Sequence, residues 1–218
     1  MTDWTYTPPL SPRLVVLHED RDVVVLDKPS GLLSVPGRDP AHADSALARV
    51  RDDHVHARAV HRLDLDTSGV MVVALRRKAE AELHRQFRER LVGKRYVARV
   101  AGHVDQDQGL IDLPLAREQG RPRSRVCWET GKAARTRYQV VSRDDDSTLL
   151  SLSPETGRSH QLRVHLLSLG HPILGDRFYA PPDALARAPR LLLHAQQLSF
   201  LHPWSGERMT VEASVPFD

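Results

Sequence analysis

The stretch His61-Arg62-Leu63-Asp64-Leu65-Asp66-Thr67-Ser68-Gly69 is the densest group of reactive side chains in the sequence. The apolar run at residues 70–75 follows it and is short enough to be a buried strand. Thr67-Ser68-Gly69 is typical of a turn. The pattern therefore predicts that both aspartates lie on a loop anchored by extended segments, where catalytic groups are often found. For an aspartate in a turn, capping of backbone N–H groups is the more common role.

Two other carboxylate chemistries fit this stretch poorly. Asp64, Asp66 and Ser68-Gly69 match positions 1, 3, 5 and 6 of an EF-hand, but position 12 is Leu75, where a bidentate glutamate is required. The Asp-x-Asp pair of haloacid-dehalogenase-like phosphatases follows a continuous apolar strand, whereas residues 59–63 before Asp64 include a histidine and an arginine. No glycine-rich phosphate loop accompanies the pair, so a calcium site and a phosphotransferase are both disfavoured.

The composition indicates an ordinary globular chain. Of its 218 residues 40% are hydrophobic and 27% charged, so a packed core is expected. Cys127 is the single cysteine, which excludes an internal disulfide and a cysteine pair for zinc, and which favours a cytoplasmic setting. Residues 1–12 have no apolar run typical of a signal peptide, and no stretch is apolar enough to predict a membrane span. We expect one domain over residues 1–218, with a core at about 13–216.

Hydrophobic patterning predicts more strands than helices. Short connections between the strands indicate antiparallel pairing, so the expected fold class is α+β, with a mixed, largely antiparallel sheet flanked by helices. The segment at 109–125, rich in Gly, Pro and Arg, is interpreted as an exposed loop. Strands are predicted at 14–17, 23–27, 70–75, 96–101, 136–141, 148–153, 190–201 and 208–215, and helices at 45–52, at 78–91 with Gly93 as its C′ residue, and at 162–169 ending at Gly170.

Basic residues are concentrated in two segments. Residues 76–99 hold nine basic and three acidic side chains, and residues 117–137 hold seven and two. Such segments are either solvated faces or a surface that binds phosphates. Few aromatic residues are interleaved, which disfavours an open stacking platform for single strands. The residues predicted to contact RNA are Arg76, Arg77, Lys78, Arg85, Arg88, Arg121, Arg123 and Arg125.

The pattern His-Arg-Leu-Asp-x-x-Thr-Ser-Gly resembles the signature of the RluA family of pseudouridine synthases. Further segments resemble the family's other motifs in the expected order, and the likeness extends from about residue 14 to residue 215. These segments are Asp27-Lys28-Pro29-Ser30-Gly31, Lys94-Arg95-Tyr96, Thr156-Gly157-Arg158-Ser159-His160-Gln161-Leu162-Arg163, His171-Pro172-Ile173-Leu174-Gly175-Asp176 and Leu191-Leu192-Leu193-His194-Ala195.

The resemblance implies an isomerase that converts uridine to pseudouridine in RNA. It assigns Asp64 to the chemistry at the ribose, Arg163 to an ion pair that keeps Asp64 charged, and Tyr96 to stacking on the uracil. Arg62 is implied to fill the gap left by the flipped base. Asp66 falls at a variable position of the motif and is expected to be structural. The reaction is redox-neutral, and the 12 histidines are scattered singly with no His-Glu-x-x-His array, so no metal and no organic cofactor are expected.

The resemblance also suggests the substrates. Residues 31–37 and 86–90 resemble the branch of the family that acts on a 23S rRNA stem-loop and on the anticodon loop of some tRNAs. Because the segment before the first predicted strand is short, no S4-type RNA-binding domain is expected, and no obligatory protein partner is inferred. Two alternatives stay open: a sibling synthase with another rRNA or tRNA target, and an RNA-binding protein that has lost catalysis.

Overall fold

The computed structural model describes residues 5–217. The helices are α1 (Ala46–Arg51), α2 (Arg77–Arg88), α3 (Gln161–Ser168) and α4 (Pro182–Ala186), and a short 3-10 helix lies at Pro40–His42. The strands are β1 (Val15–Glu19), β2 (Val23–Lys28), β3 (Arg58–Ala59), β4 (Ser68–Ala74), β5 (Gly93–Ala101), β6 (Gln108–Asp112), β7 (Leu115–Arg117), β8 (Ser124–Val126), β9 (Arg135–Arg143), β10 (Ser147–Pro154), β11 (Leu193–Leu201) and β12 (Arg208–Glu212).

The chain is divided into two compact units. The first comprises the described residues up to Gly93 together with Ala195–Ser214, and the second comprises Lys94–His194 with the residues from Val215. The expected α+β class and largely antiparallel sheet are confirmed. The single domain over the whole chain stays a prediction. Among the described residues, no helix is both long and apolar enough to span a membrane.

The first unit is built on the strand order β1-β2-β4-β11, with β12 pairing β11 and β3 pairing β4. All seven residues of β4 are buried, as the apolar run predicted. Helix α2 packs its apolar face, Ala79 and Leu83, on the side chains of Val70 and Val72. This packing holds β4 firmly, and β4 is the strand that follows the Asp64 loop.

The second unit is built on the antiparallel order β5-β10-β9-β6. Leu150 and Leu152 of β10 are fully buried and pack with Leu162 and Leu166 of α3. The helix is thereby fixed against the sheet, so the side chains of its first turn have defined positions.

The interpretation of residues 109–125 as an exposed loop was wrong. This segment contributes β6, β7 and β8. Position 109 of β6 requires a glycine, because a β-carbon there would lie 2.6 Å from the ring of Tyr138. Leu115 of β7 packs with Val164 of α3. Strands this short form because of tertiary packing, which a composition rich in Gly, Pro and Arg does not reveal.

Helix α2 ends earlier than predicted, and Gly93 is not its C′ residue. The C′ position is Arg90, which has a φ of 60°. The N–H of Leu91 donates to the Gln86 carbonyl at 2.9 Å, which is the long bond of a Schellman motif. Gly170, with a φ of 84°, ends α3 through the same motif, as expected. A left-handed residue is required in both places, but only one of them is a glycine.

Candidate active site

Asp64 lies on the loop between β3 and β4, as predicted. Its side chain is half-buried, that of Leu63 is buried and that of Arg62 is exposed. The N–H of Thr67 donates to the Asp64 carbonyl at 3.2 Å, which closes a turn immediately after the aspartate. The roles predicted for Arg62 and Asp64 stay predictions.

Ser34 holds the main chain on the N-terminal side of Asp64. Its hydroxyl donates to the Leu63 carbonyl at 2.8 Å and accepts the Leu63 N–H at 3.0 Å. Ser34 is only 2% exposed, so these bonds do not compete with bulk water. One buried hydroxyl therefore satisfies both polar backbone groups of the residue before Asp64.

Lys28, Ser30 and Gly31 hold the C-terminal side. The Lys28 ammonium donates to the Leu65 carbonyl at 3.2 Å, and the Gly31 N–H donates to the same carbonyl at 2.9 Å. The Ser30 hydroxyl donates to the Asp66 carbonyl at 2.7 Å. Residues 28–34, which include the last four of the five residues of the first family motif, thus bind the backbone on both sides of Asp64. We call them the bracing loop.

The bracing loop is itself anchored. Lys28 is fully buried, and its ammonium also donates to the carbonyls of Pro29 and Leu32, at 2.8 and 2.7 Å. At the N-terminus of α1, the N–H of Ala46 donates to the Leu33 carbonyl at 2.8 Å. The first N–H groups of a helix have no partner within it, so this loop supplies one. The result is a preorganised backbone around Asp64.

Gly69, the last residue of the signature, is required by a close backbone approach. It has a φ of 113°, and a β-carbon on it would lie 2.2 Å from the Ala195 carbonyl oxygen. His61, the first residue, accepts the Val72 N–H through Nε2 at 3.0 Å and stacks on Phe87 at 4.8 Å. Both ends of the signature therefore fix β4 and the loop before it.

In the second unit, Arg163 forms a buried ion pair with Asp176. Its Nε and Nη2 donate to the two carboxylate oxygens at 2.7 and 2.6 Å, and both side chains are 1% exposed. Sequence reasoning gave Arg163 only Asp64 as a partner and missed Asp176. The signal was present, because Asp176 ends one of the motifs that resemble the family. The pairing of Arg163 with Asp64 stays a prediction.

Gln161, which lies two residues before Arg163 in the same motif, forms hydrogen bonds through both ends of its side-chain amide. Its amide oxygen accepts the Thr156 hydroxyl at 2.7 Å and the Arg158 N–H at 3.0 Å. Its amide nitrogen donates to the Arg135 carbonyl and the Thr136 hydroxyl, both at 3.0 Å. The first turn of α3 is thereby fixed to β9, which also sets the position of the arginine two residues later.

Tyr96 lies on β5, opposite Leu152 of β10, and its half-buried ring packs at the edge of the second unit's core. Near it, Lys94 donates to the Thr156 carbonyl at 3.4 Å. The motif Lys94-Arg95-Tyr96 thus lies on the same unit as the α3 motif. A half-buried phenol offers an aromatic face together with a polar tip.

The basic residues predicted to contact RNA fall into different settings. Arg76, Arg77 and Lys78 follow the C-terminal end of β4, about 20 Å along a seven-residue strand from the Asp64 loop. The guanidinium of Arg85 is paired with Glu82 and Glu89 on its own helix. These pairings leave it less suited to binding phosphate than the sequence suggested.

The hairpin formed by β7, β8 and the turn between them carries the other candidates. Arg121 and Arg125 are exposed, and Arg123 is half-buried. The Arg123 guanidinium lies over the rings of Phe178 and Tyr179, at 5.7 and 6.0 Å. We call this hairpin, residues 115–126, the basic hairpin.

One group of the described residues has metal-ligand chemistry: Asp20, Asp22 and His202. The hydrogen bonds argue against a metal there. Nδ1 of His202 accepts the N–H groups of Trp204 and Ser205, at 3.3 and 3.1 Å, so the ring hydrogen is on Nε2. That nitrogen lies 3.1 Å from the Asp20 carboxylate and is a donor to it. The group is a hydrogen-bonded junction between two turns.

Comparison with known proteins agrees with this geometry. A sequence model described as RNA pseudouridylate synthase matches residues 22–168, more than half of the chain. The chain is 59% identical to the dual-specificity RNA pseudouridine synthase RluA of Yersinia pestis over 206 residues, which is 94% of this chain and all of that protein. It is 57% identical to the protein of the same name from Escherichia coli strain K12, over 97% of this chain and 98% of that one.

A solved structure is also similar. Human RNA pseudouridylate synthase domain containing 1 is 30% identical and superposes with a TM-score of 0.81, over 97% of this chain and 87% of that chain. The match thus extends from the signature at Asp64 to the whole fold. The chain therefore belongs to the RNA pseudouridylate synthase family, and its activity is that of an RNA pseudouridine synthase, an isomerase.

Proposed function

We propose that this enzyme isomerises uridine in two kinds of RNA, a 23S rRNA stem-loop and the anticodon loop of some tRNAs, with Asp64 as the catalytic carboxylate. The relatives from Yersinia pestis and Escherichia coli, whose names state dual specificity, are 59% and 57% identical to the chain over nearly their full lengths. The observation that supports the catalytic assignment is the half-buried Asp64, held on both sides by the bracing loop. Prior fixing of the backbone lowers the reorganisation needed at the reacting atoms.

Two balanced routes are open to the Asp64 carboxylate. In the first, one of its oxygens bonds to ribose C1′ as the C1′–N1 bond breaks and uracil leaves with the electron pair. C5 of the turned uracil then bonds to C1′, and the ester bond to Asp64 breaks. In the second, the carboxylate removes the C2′ proton as N1 leaves, which gives a glycal. C5 then bonds to C1′ and the proton returns to C2′. In both routes the hydrogen on C5 is lost as a proton and N1 gains one.

The other assigned residues keep their proposed roles. Tyr96 stacks on the detached uracil, Arg62 fills the place of the flipped nucleotide, and Arg163 supports the charged form of Asp64. Neither route needs an external oxidant or reductant, because the isomerisation leaves the nucleoside with the same number of electrons overall. The proposal requires no protein partner, and it includes a cytoplasmic location, where such RNA substrates are found.

Of the basic segments, the basic hairpin is the one that we propose as the main RNA-binding surface. Arg121 and Arg125 are exposed on it, whereas Arg85 is already paired with two glutamates. Recognition of a stem-loop depends largely on shape and phosphate contacts, and a short arginine-rich hairpin can supply these. Removal of each phosphate-binding arginine should reduce the salt dependence of binding by about one unit of slope.

Tritium release tests the proposed function. Stem-loops of 23S rRNA and tRNA anticodon arms, labelled with tritium at uracil C5, are incubated with the wild-type enzyme and with Asp64→Asn. We expect the wild type to release label from both RNAs and the variant from neither, and Asp66→Asn serves as the matched control that keeps activity. Release from only one RNA would indicate a sibling specificity. Binding without release from either would indicate a catalytically idle RNA-binding protein.

An isotope effect distinguishes the two routes. Uridine that carries deuterium at C2′ should react several-fold more slowly only if the carboxylate breaks the C2′–H bond. Equal single-turnover rates for deuterated and ordinary RNA would favour attack at C1′.

A further inference from the structure

The hydroxyl of Tyr179 joins two segments to which the proposed function gives different tasks. The Ser124 N–H, at the start of β8 in the basic hairpin, donates to this hydroxyl at 2.8 Å. The hydroxyl lies 3.2 Å from the Ser124 carbonyl. Nδ1 of His160, the residue before the first turn of α3, also lies 2.8 Å from this hydroxyl. One phenol thus bridges the basic hairpin and the helix that carries Arg163.

The number of hydrogen bonds that a hydroxyl can donate and accept determines the direction of each of these contacts. A phenol donates one hydrogen bond and accepts up to two. All three contacts are satisfied together only if the hydroxyl donates to the Ser124 carbonyl and accepts both the Ser124 N–H and an Nδ1–H of His160. Ser124 is 3% exposed, so its backbone groups would be buried without a partner if the hydroxyl were absent.

The remainder of Tyr179 touches the groups nearest to the proposed chemistry. The guanidinium of Arg163 lies over its ring at 5.1 Å, and that of Arg123 lies over it at 6.0 Å. Its N–H donates to Asp176 at 3.2 Å, the carboxylate that binds Arg163. The ring also packs in the small apolar cluster of Leu115 and Val164.

We propose that Tyr179 is a positioning residue whose hydroxyl holds the basic hairpin against α3 in the conformation that binds RNA. The inference rests on the proposed RNA-binding role of that hairpin. Short strands hold the hairpin together, and a hairpin fixed in advance has less conformational freedom to lose when RNA binds. The hydroxyl therefore acts on the affinity for RNA, whereas the ring and the N–H support the buried Arg163–Asp176 pair.

Tyr179→Phe isolates the hydroxyl, because the ring and its contacts with Arg163 remain. We expect the Kd and the KM for a stem-loop RNA to rise about tenfold, the effect of losing buried hydrogen bonds, with kcat within about twofold of the wild type. The slope of log Kd against log salt should be unchanged, since no charge is removed. The matched control is Tyr138→Phe, on β9 of the same unit beside Gly109, and it should bind RNA as the wild type does.

A double-mutant cycle tests whether the hydroxyl acts through the hairpin. Arg121→Ala with Arg125→Ala should raise Kd and lower the salt slope, and Tyr179→Phe should then add less than about twofold, because coupled residues are not additive. An unchanged Kd for Tyr179→Phe, a loss confined to kcat, or a full additive effect in the arginine background would overturn the inference. Fluorescence anisotropy with labelled RNA measures Kd without turnover. Absence of catalysis by the wild type would therefore contradict the proposed function, while the Kd values would still test the role of Tyr179.

Discussion

Removal of Asp176 should destabilise the protein more than removal of any exposed acidic partner. Both members of the Arg163–Asp176 pair are 1% exposed, and Asp176 also accepts the N–H groups of Phe178 and Tyr179, at 2.9 and 3.2 Å. Asp176→Ala would leave a buried guanidinium and two N–H groups without this acceptor. Removal of one partner of a buried pair costs about 3–5 kcal/mol. In a chain of this length each kcal/mol lowers Tm by about 2–4 °C, so a fall of about 6–20 °C is expected.

The assay is urea and thermal unfolding followed by circular dichroism, with Asp112→Ala as the matched control. Asp112 pairs with Arg135 at 3.1 Å in the same unit, but the two side chains are 57% and 41% exposed. An exposed pair of this kind contributes about 0–1 kcal/mol. The double variant Arg163→Met with Asp176→Leu should recover much of the loss, because no unpaired charge is then buried. The reasoning is refuted if Asp176→Ala unfolds at the same urea concentration as Asp112→Ala.

Four further changes test the loop around Asp64 and the supporting structure. Gly69→Ala should lower the free energy of unfolding by about 2–6 kcal/mol, because the residue has a φ of 113° and the new β-carbon would lie 2.2 Å from a backbone oxygen. An unchanged midpoint of urea unfolding would contradict this. Ser34→Ala should lower kcat about tenfold with KM nearly constant, because two hydrogen bonds that fix the Asp64 loop are lost. Steady-state kinetics measures both constants, and a raised KM with an unchanged kcat would show instead that Ser34 serves RNA binding. Arg90→Gly should stabilise the protein by about 1 kcal/mol, because a left-handed residue with a side chain is strained, and no rise in Tm would argue against it. Burial raises the pKa of Asp20, but hydrogen bonds from a histidine and two backbone N–H groups outweigh burial and lower the pKa to about 2. The stabilisation of the folded protein by this carboxylate should therefore be complete above about pH 4 and lost as the pH falls towards 2. Unfolding of the wild type and Asp20→Asn at several pH values checks this: a difference between them that does not shrink in acid would exclude the mechanism.

Local patterns predicted those features that depend on neighbouring residues. The buried strand β4 follows from an unbroken apolar run, and the end of α3 follows from a glycine after a helical repeat. The same reasoning missed the end of α2, because an arginine takes the left-handed position there. It also missed three short strands in residues 108–126, since their stability comes from packing against α3 and from pairing with β9.

By itself, the sequence determined the family and the candidate catalytic residue, because a signature of adjacent residues on one loop can be recognised without coordinates. The tertiary structure decided what holds that loop and its partners. Ser34 meets Leu63 across 29 residues, and Arg163 meets Asp176 across 13. Hydrogen bonds of this kind are directional and depend on atomic positions within a few tenths of an ångström. Such positions are set by the path of the folded chain, which no local pattern of residue types specifies.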